Sequence, residues 1–159
     1  LALPLIKEDW IYLNSDLILE REAYKHIKKY LGINSVCVNL GKRTDLHIFL
    51  SDEEKYIKEW IPIDTYVTTP EQIKNMPTPD GEIVGPIIGT KELAQKLLSK
   101  FSQLNNDEKM TISCYTLFSK IKEIKYLTID ITDFLWKEID TEKDFNFARE
   151  LIKKSKKFF

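Results

Sequence analysis

The sequence predicts an α/β domain with a mixed, mostly parallel sheet flanked by helices. Two observations carry this. Short runs rich in β-branched and aromatic residues alternate with segments whose apolar residues recur at helical spacing, and the boundaries between them fall at acidic, Asn/Ser or glycine positions. No internal repeat or low-complexity linker interrupts the alternation, so residues 1–159 are expected to form a single domain large enough to bury a core.

Taken in order, Trp10 to Asn14 reads as a buried strand that ends in Asn14-Ser15-Asp16. A helix is predicted from Glu20 to Leu31, with Ala23, Tyr24, Ile27 and Leu31 on one face and Gly32 just past its end. Ile33 to Leu40 is the next strand. Leu46 to Leu50 and Tyr56 to Ile61 alternate around Ser51-Asp-Glu-Glu54 and suggest a hairpin, with a further strand over residues 63–68. Glu82 to Gly89 is strand-like, and its two internal and terminal glycines point to a bulge or a close backbone approach. Lys91 to Phe101 is helical by spacing and breaks at Asn105-Asn106-Asp107. A third helix is expected over Ile112 to Ile121, then strands at Tyr126 to Ile129 and Phe134 to Ile139. At Asp140-Thr141 the period changes again. Thr141 is placed to cap a final helix, with Asp144 in the reciprocal capping-box position and Phe145, Ala148, Leu151 and Ile152 on its apolar face.

Composition narrows the function classes. The formal net charge is −1 with acidic and basic residues interspersed, so no basic field advertises nucleic-acid binding. The dense basic run from Lys153 to Lys157 suits a solvated helix end. Cys37 and Cys114 form no Cys-x-x-Cys pair, and both are expected in the core. No apolar run approaches the length of a membrane span, and no signal-like segment opens the chain; a cytoplasmic protein without a membrane partner is the expectation. The sequence opens on Leu1-Ala-Leu-Pro-Leu-Ile6 rather than on methionine, as though inside a longer chain.

Two acidic residues stand at strand ends, Asp16 and Asp140, where open α/β sheets place ligands and ions. Read alone, each is more plainly a turn or cap residue. If their strands are neighbours, the two carboxylates converge on one point of the sheet edge.

Trp136-Lys-Glu-Ile-Asp-Thr-Glu-Lys-Asp-Phe145 resembles the closing signature of the nucleotidyltransferases that make sugar-nucleotides and CDP-alcohols, commonly Trp-x-Asp/Glu-Ile-Asp-Thr-x-x-Asp-Leu. Its nearest flavour is that of the cytidylyltransferases acting on phosphocholine or inositol phosphate. Trp10-Ile-Tyr-Leu-Asn-Ser-Asp16 is similar to that family's apolar strand followed by Asn/Gly-x-Asp. The resemblance implies a nucleotide-diphospho-sugar transferase-like fold. It implies that Asp16 and Asp140 hold the catalytic Mg²⁺, and that the partners are an NTP, CTP by the nearest flavour, and a phosphorylated sugar or alcohol. The reaction it implies is nucleotidyl transfer with release of pyrophosphate. Lys58 lies where many members carry a substrate-phosphate lysine, although on an alternating strand a solvated lysine is the plainer reading. The resemblance matches only the later two-thirds of a full-length member. The first Rossmann-like segment, with its Gly-rich basic loop, has no counterpart here, so an incomplete domain, inactive as the chain stands, is expected.

The residues leave other readings open. A glycosyltransferase of related fold would have its Asp-x-Asp replaced by Asn14-Ser-Asp16, and a non-catalytic homologue would use both aspartates only in turns. Trp60, Tyr66 and Trp136 are candidates for an aromatic wall around a choline-like cation, with core packing the stronger expectation. Neither His26 nor His47 has a catalytic partner at a recognisable spacing. A homodimer stands as one option for the assembly, which the residues do not set.

Overall fold

The structure is a computed structural model that describes residues 3–40, 47–62, 71, 75, 76, 78–154 and 157. The elements follow in the order β1 (Trp10–Tyr12), β2 (Leu17–Leu19), α1 (Arg21–Ile27), β3 (Ser35–Leu40), β4 (His47–Ser51), β5 (Ile57–Pro62), β6 (Gly81–Gly89), α2 (Lys91–Ser102), α3 (Asn106–Thr111), α4 (Cys114–Ser119), β7 (Leu127–Asp130), β8 (Trp136–Glu138) and α5 (Glu142–Lys154). The strand predicted over residues 63–68, which contains Tyr66, lies outside the described residues.

The long strand β6 is the axis of a six-stranded sheet ordered β5-β4-β6-β3-β7. β3 runs along one edge of β6, while β4 takes the start and β1 the end of the other edge. Helices pack on both faces, as the sequence predicts. The expectation of a mostly parallel sheet is corrected: among the described strands only β3 and β7 pair in parallel, and every other ladder is antiparallel. Parallel neighbours need a crossover connection, whereas the β4–β5 hairpin turns back at once. Asp52 builds that turn by accepting hydrogen bonds from the Glu54 and Tyr56 amides at 3.0 and 2.8 Å.

The pleat divides the core in two. Val36 and Val38 of β3 and Ile87 of β6 face a layer formed by Leu93 and Leu97 of α2 and by Leu117 and Phe118 of α4. Cys37, Val84 and Ile88, the alternate positions, face Ala23 and Ile27 of α1 together with Ile129 and Ile131. Both faces are therefore buried, and the central strands read as nearly continuous apolar runs.

The glycines of β6 do what their positions predict. Opposite β3 the register steps from Val36↔Ile87 to Val38↔Ile83, so β6 carries two extra residues. The excess contains Gly85, at φ 149°, and Pro86, which has no N–H to give a ladder. An even-numbered excess preserves the alternation, so Ile83 and Ile87 still face one core layer and Val84 and Ile88 the other. At Gly89 a Cβ would come within 2.2 Å of the Trp10 indole, whose Nε1 donates to the Thr90 carbonyl at 3.0 Å.

Three elements differ from expectation. The helix predicted over Ile112 to Ile121 is a shorter one, Cys114–Ser119, and the supposed break at Asn105 is the start of another. Asn105 accepts from the Glu108 amide at 2.9 Å while Glu108 accepts from the Asn105 amide at 3.0 Å, a complete capping box. The third is β2, three residues for which the sequence predicts no element.

Candidate functional site

The three residues of β2 build the site. β2 and β8 form a separate antiparallel ribbon in which Leu17 faces Glu138, Ile18 faces Lys137 and Leu19 faces Trp136. One step further, the Ile139 amide donates to the Asp16 carbonyl at 2.8 Å. Asp16 therefore sits across from Ile139 and one position from Asp140, at the same end of the ribbon. The backbone puts the two aspartates at one end of the ribbon, but not at the carboxyl ends of paired strands: Asp16 precedes the amino end of β2, and Asp140 follows the carboxyl end of β8. Both side chains are exposed.

Beside them, across from Leu17, lies Glu138, a residue within the closing signature for which the sequence predicts no role. Its carboxyl is raised to about 7, first by burial and then by the negative charges of Asp140, Asp16 and Glu82. Glu82, on β6, is buried and accepts a hydrogen bond from Asn39 Nδ2 at 2.7 Å. Lys137, the basic residue that opposes the shift on Glu138, pairs with Asp144 at 2.7 Å. That pair and the Thr141 hydrogen bonds hold the Asp144 carboxyl down to about 2. The ribbon thus gathers acidic groups whose mutual repulsion is not cancelled locally. A signal for Glu138 was present: Phe134, Trp136 and Glu138 share one side of an alternating strand, and the acid occupies a position that an apolar residue would otherwise take.

Thr141 and Asp144 fix the far side of the site as the sequence predicts. The Thr141 amide donates to Asp144 Oδ2 at 3.1 Å, and Thr141 Oγ1 accepts from the Asp144 amide at 3.2 Å. Helix α5 therefore starts immediately after Asp140.

The near side is held from helix α4. The Tyr115 hydroxyl lies 2.9 Å from Asn14 Oδ1 and 3.2 Å from the Gly85 carbonyl, and Cys114 Sγ lies 3.0 Å from the Tyr12 hydroxyl. Burial pushes the Tyr115 and Tyr12 phenols up, so both are neutral at any ordinary pH. Gly85 leaves the room for this contact: a Cβ there would stand 3.0 Å from Leu17 Cδ2 and 3.7 Å from the Tyr115 hydroxyl. Asn14, Gly85 and Tyr115 were not identified as site residues from sequence, because their meeting is set by a bulge and by a helix about a hundred residues from Asn14 in the chain.

Lys58 is placed elsewhere. It lines a pocket with Trp60, Phe118, Lys122 and Tyr126, and no residue of the β2–β8 ribbon lines that pocket. Trp60 is core rather than binding wall, stacked on Phe118 with ring centroids 6.4 Å apart and edge-on to Tyr126 at 5.5 Å. Trp136 packs against the core layer of α1. His26 has ring contacts with Tyr30 and Phe134.

The donor set suits Mg²⁺. Asp16 and Asp140 offer hard, exposed oxygen atoms in a field negative enough to raise a neighbouring carboxyl, which is the condition a divalent cation relieves. Among the described residues no group of three or more His, Cys, Asp or Glu side chains is arranged as a metal cage. An ion held by one or two carboxylates keeps positions for water and phosphate, and it needs no such cage.

No family model matches the sequence, and no curated protein does. Solved structures match the fold. A candidate glucose-1-phosphate thymidylyltransferase from Bacillus anthracis superposes over 99% of this chain and 61% of its own, with a TM-score of 0.62 and 12% identity. The chain has a nucleotidyltransferase-like fold. The inositol-1-phosphate CTP transferase from T. maritima matches at a TM-score of 0.60 with 21% identity, over 96% of this chain and 58% of that one. The CTP:phosphocholine cytidylyltransferase of Streptococcus pneumoniae matches at 0.59 with 12% identity, over 89% and 57%. The present chain therefore spans about three-fifths of the nucleotidyltransferase-like fold in these structures. Among the described residues no helix is long and apolar enough to cross a membrane.

Proposed function

We propose that this chain is part of a Mg²⁺-dependent nucleotidyltransferase domain that moves a nucleotidyl group from an NTP, CTP foremost, to a phosphorylated sugar or alcohol and releases pyrophosphate. The observation that carries the reading is the placement of Asp16 and Asp140 at one end of the β2–β8 ribbon of a nucleotidyltransferase-like fold. In this reading the two aspartates hold the ion. When bound, Mg²⁺ supplies positive charge against the reacting phosphates and the leaving pyrophosphate. The protein's own contribution is position and field. The Thr141–Asp144 box and the Lys137–Asp144 pair keep the Asp140 junction in place, and the turn after β1 presents Asp16. Lys58 is assigned no step, because its pocket shares no residue with the ribbon.

The test uses the complete polypeptide that contains this chain. Pyrophosphate release from each NTP is measured with phosphocholine, inositol 1-phosphate and glucose 1-phosphate as acceptors, across a range of Mg²⁺ concentrations. Asp140→Ala is expected to lower turnover by about 10²–10³-fold, the scale of losing one charge-stabilising group. Asp140→Asn, which keeps an oxygen donor, is expected to lose less and to need more Mg²⁺. Thermal unfolding of both should stay within about 0.5 kcal/mol of wild type, since the side chain is exposed. Unchanged turnover and Mg²⁺ dependence in Asp140→Ala would return Asp140 to the role of a junction residue and remove the proposal.

A further inference from the structure

Resting on the metal reading above, we infer that Tyr115 is a positioning residue for that ion: its hydroxyl clamps Asn14, and through Asn14 the turn that presents Asp16 to Asp140.

Between β1 and β2 only Leu13 to Asp16 remain, and the Leu17 amide closes them onto the Asn14 carbonyl at 3.4 Å, a long bond at the limit of a useful turn contact. The turn's backbone alone therefore holds Asp16 loosely. What tightens it comes from helix α4. Tyr115 places its single hydroxyl proton between Asn14 Oδ1 at 2.9 Å and the Gly85 carbonyl at 3.2 Å, so one donor ties the turn to the bulge of β6. Cys114, the next residue, meets the Tyr12 hydroxyl at 3.0 Å, and the Tyr12 and Tyr115 rings stand edge-on at 6.2 Å. Strand β1 and its turn are thus gripped at two successive places by one helix end.

The opposite strand needs no such device. Asp140 is followed at once by the Thr141–Asp144 box and by the Lys137–Asp144 pair. Asp16 is held on its other side by the Ile139-to-Asp16 backbone bond at 2.8 Å. Removing the Tyr115 hydroxyl therefore frees Asp16 and leaves Asp140 where it is. Gly85 belongs to the same device, since its missing Cβ leaves room for Leu17 beside the hydroxyl.

The experiment is a titration of the complete polypeptide with Mn²⁺ alone, in place of Mg²⁺, followed by the paramagnetic signal of the free ion. Tyr115→Phe keeps the ring and deletes the hydroxyl. It is expected to weaken Mn²⁺ binding by about threefold to tenfold, the scale of one neutral hydrogen bond. In an Asn14→Ala background the same substitution should add nothing further, because its route to the ion is already cut. Ser113→Ala is the control for general loosening: it removes the side-chain cap of α4, which accepts from the Thr116 amide at 3.1 Å, without touching Asn14. It should leave Mn²⁺ affinity unchanged. Equal weakening by Ser113→Ala and Tyr115→Phe, or additive effects of Tyr115→Phe and Asn14→Ala, would overturn the positioning role. So would wild-type affinity in Tyr115→Phe alongside weakened binding in Asp140→Asn, an outcome that leaves the metal reading standing. Mn²⁺ binding that is absent in the wild type, or indifferent to Asp140→Asn, would overturn both.

Discussion

Helix α4 serves two regions built on opposite principles. Phe118 stacks on Trp60 and meets Tyr126 edge-on, a closed aromatic cluster with all three rings buried. Tyr115 reaches the β2–β8 ribbon, where Asp16, Glu138 and Asp140 are crowded at one end. In the first region each group satisfies its neighbours by apolar contact, and the arrangement gains from being shut. In the second, like charges are held together at a cost, by hydrogen bonds and turns that lie around them. An arrangement kept against its own electrostatics is where ligands are expected, and a relaxed aromatic cluster is where stability is expected. The same contrast explains why Lys58, at the aromatic end, is not joined to the acidic site.

The largest effect expected from breaking this contrast is at the aromatic end. Trp60→Ala should destabilise the fold by about 3–5 kcal/mol, as large aromatic truncations in cores do, read as a fall in denaturant midpoint. A loss below about 1 kcal/mol would mean the cluster is not the core it resembles.

At the acidic end the sign is reversed. Glu138, whose carboxyl is raised to about 7 in the folded chain from 4.5, binds its proton more tightly when folded. Below pH 4.5 it is protonated in both states and contributes nothing. Between about 4.5 and 7 the unfolded chain has released that proton while the folded chain still holds it, so stability falls across that window and levels off above 7. Glu138→Gln should flatten this fall in metal-free buffer and raise stability at pH 8 by about 1–2 kcal/mol, after allowance for the side chain's partial exposure. Equal stability–pH curves for wild type and variant between pH 5 and 8 would show that Glu138 is not raised by its burial and its acidic neighbours.

The smallest effect sharpens the separation of the two ends. Lys58→Ala should change stability by no more than about 0.5 kcal/mol and leave Mn²⁺ affinity untouched. A marked fall in that affinity would mean that Lys58 acts on the acidic site after all.

Local chemistry made much of this legible in advance. Thr141 and Asp144 announced the helix start by type and spacing, and the structure pairs them reciprocally. Gly32 marked the end of the α1 segment and adopts φ 89°. The hairpin around Asp52 and the glycine-bearing strand β6 were readable from alternation and turn residues, because such signals act within a few residues and do not depend on what packs outside. Asn105 was equally local and was misread: taken as a break, it is a cap, and the Glu108 three residues on was the mark.

What only the tertiary structure decided was pairing. Three residues, Leu17 to Leu19, are too few for a period to stand out, and they become a strand because β8 supplies the partner. Strand direction was equally hidden, since a buried parallel and a buried antiparallel strand show the same apolar run, and the sheet proved largely antiparallel. The closeness of Asp16 and Asp140 to Glu138, the raised carboxyl beside them and the clamp from Tyr115 onto Asn14 all follow from that pairing. The sequence alone could nominate the two aspartates by their positions at strand ends. Their environment is a sum over groups far apart in the chain, and only the folded arrangement brings those groups within reach of one another.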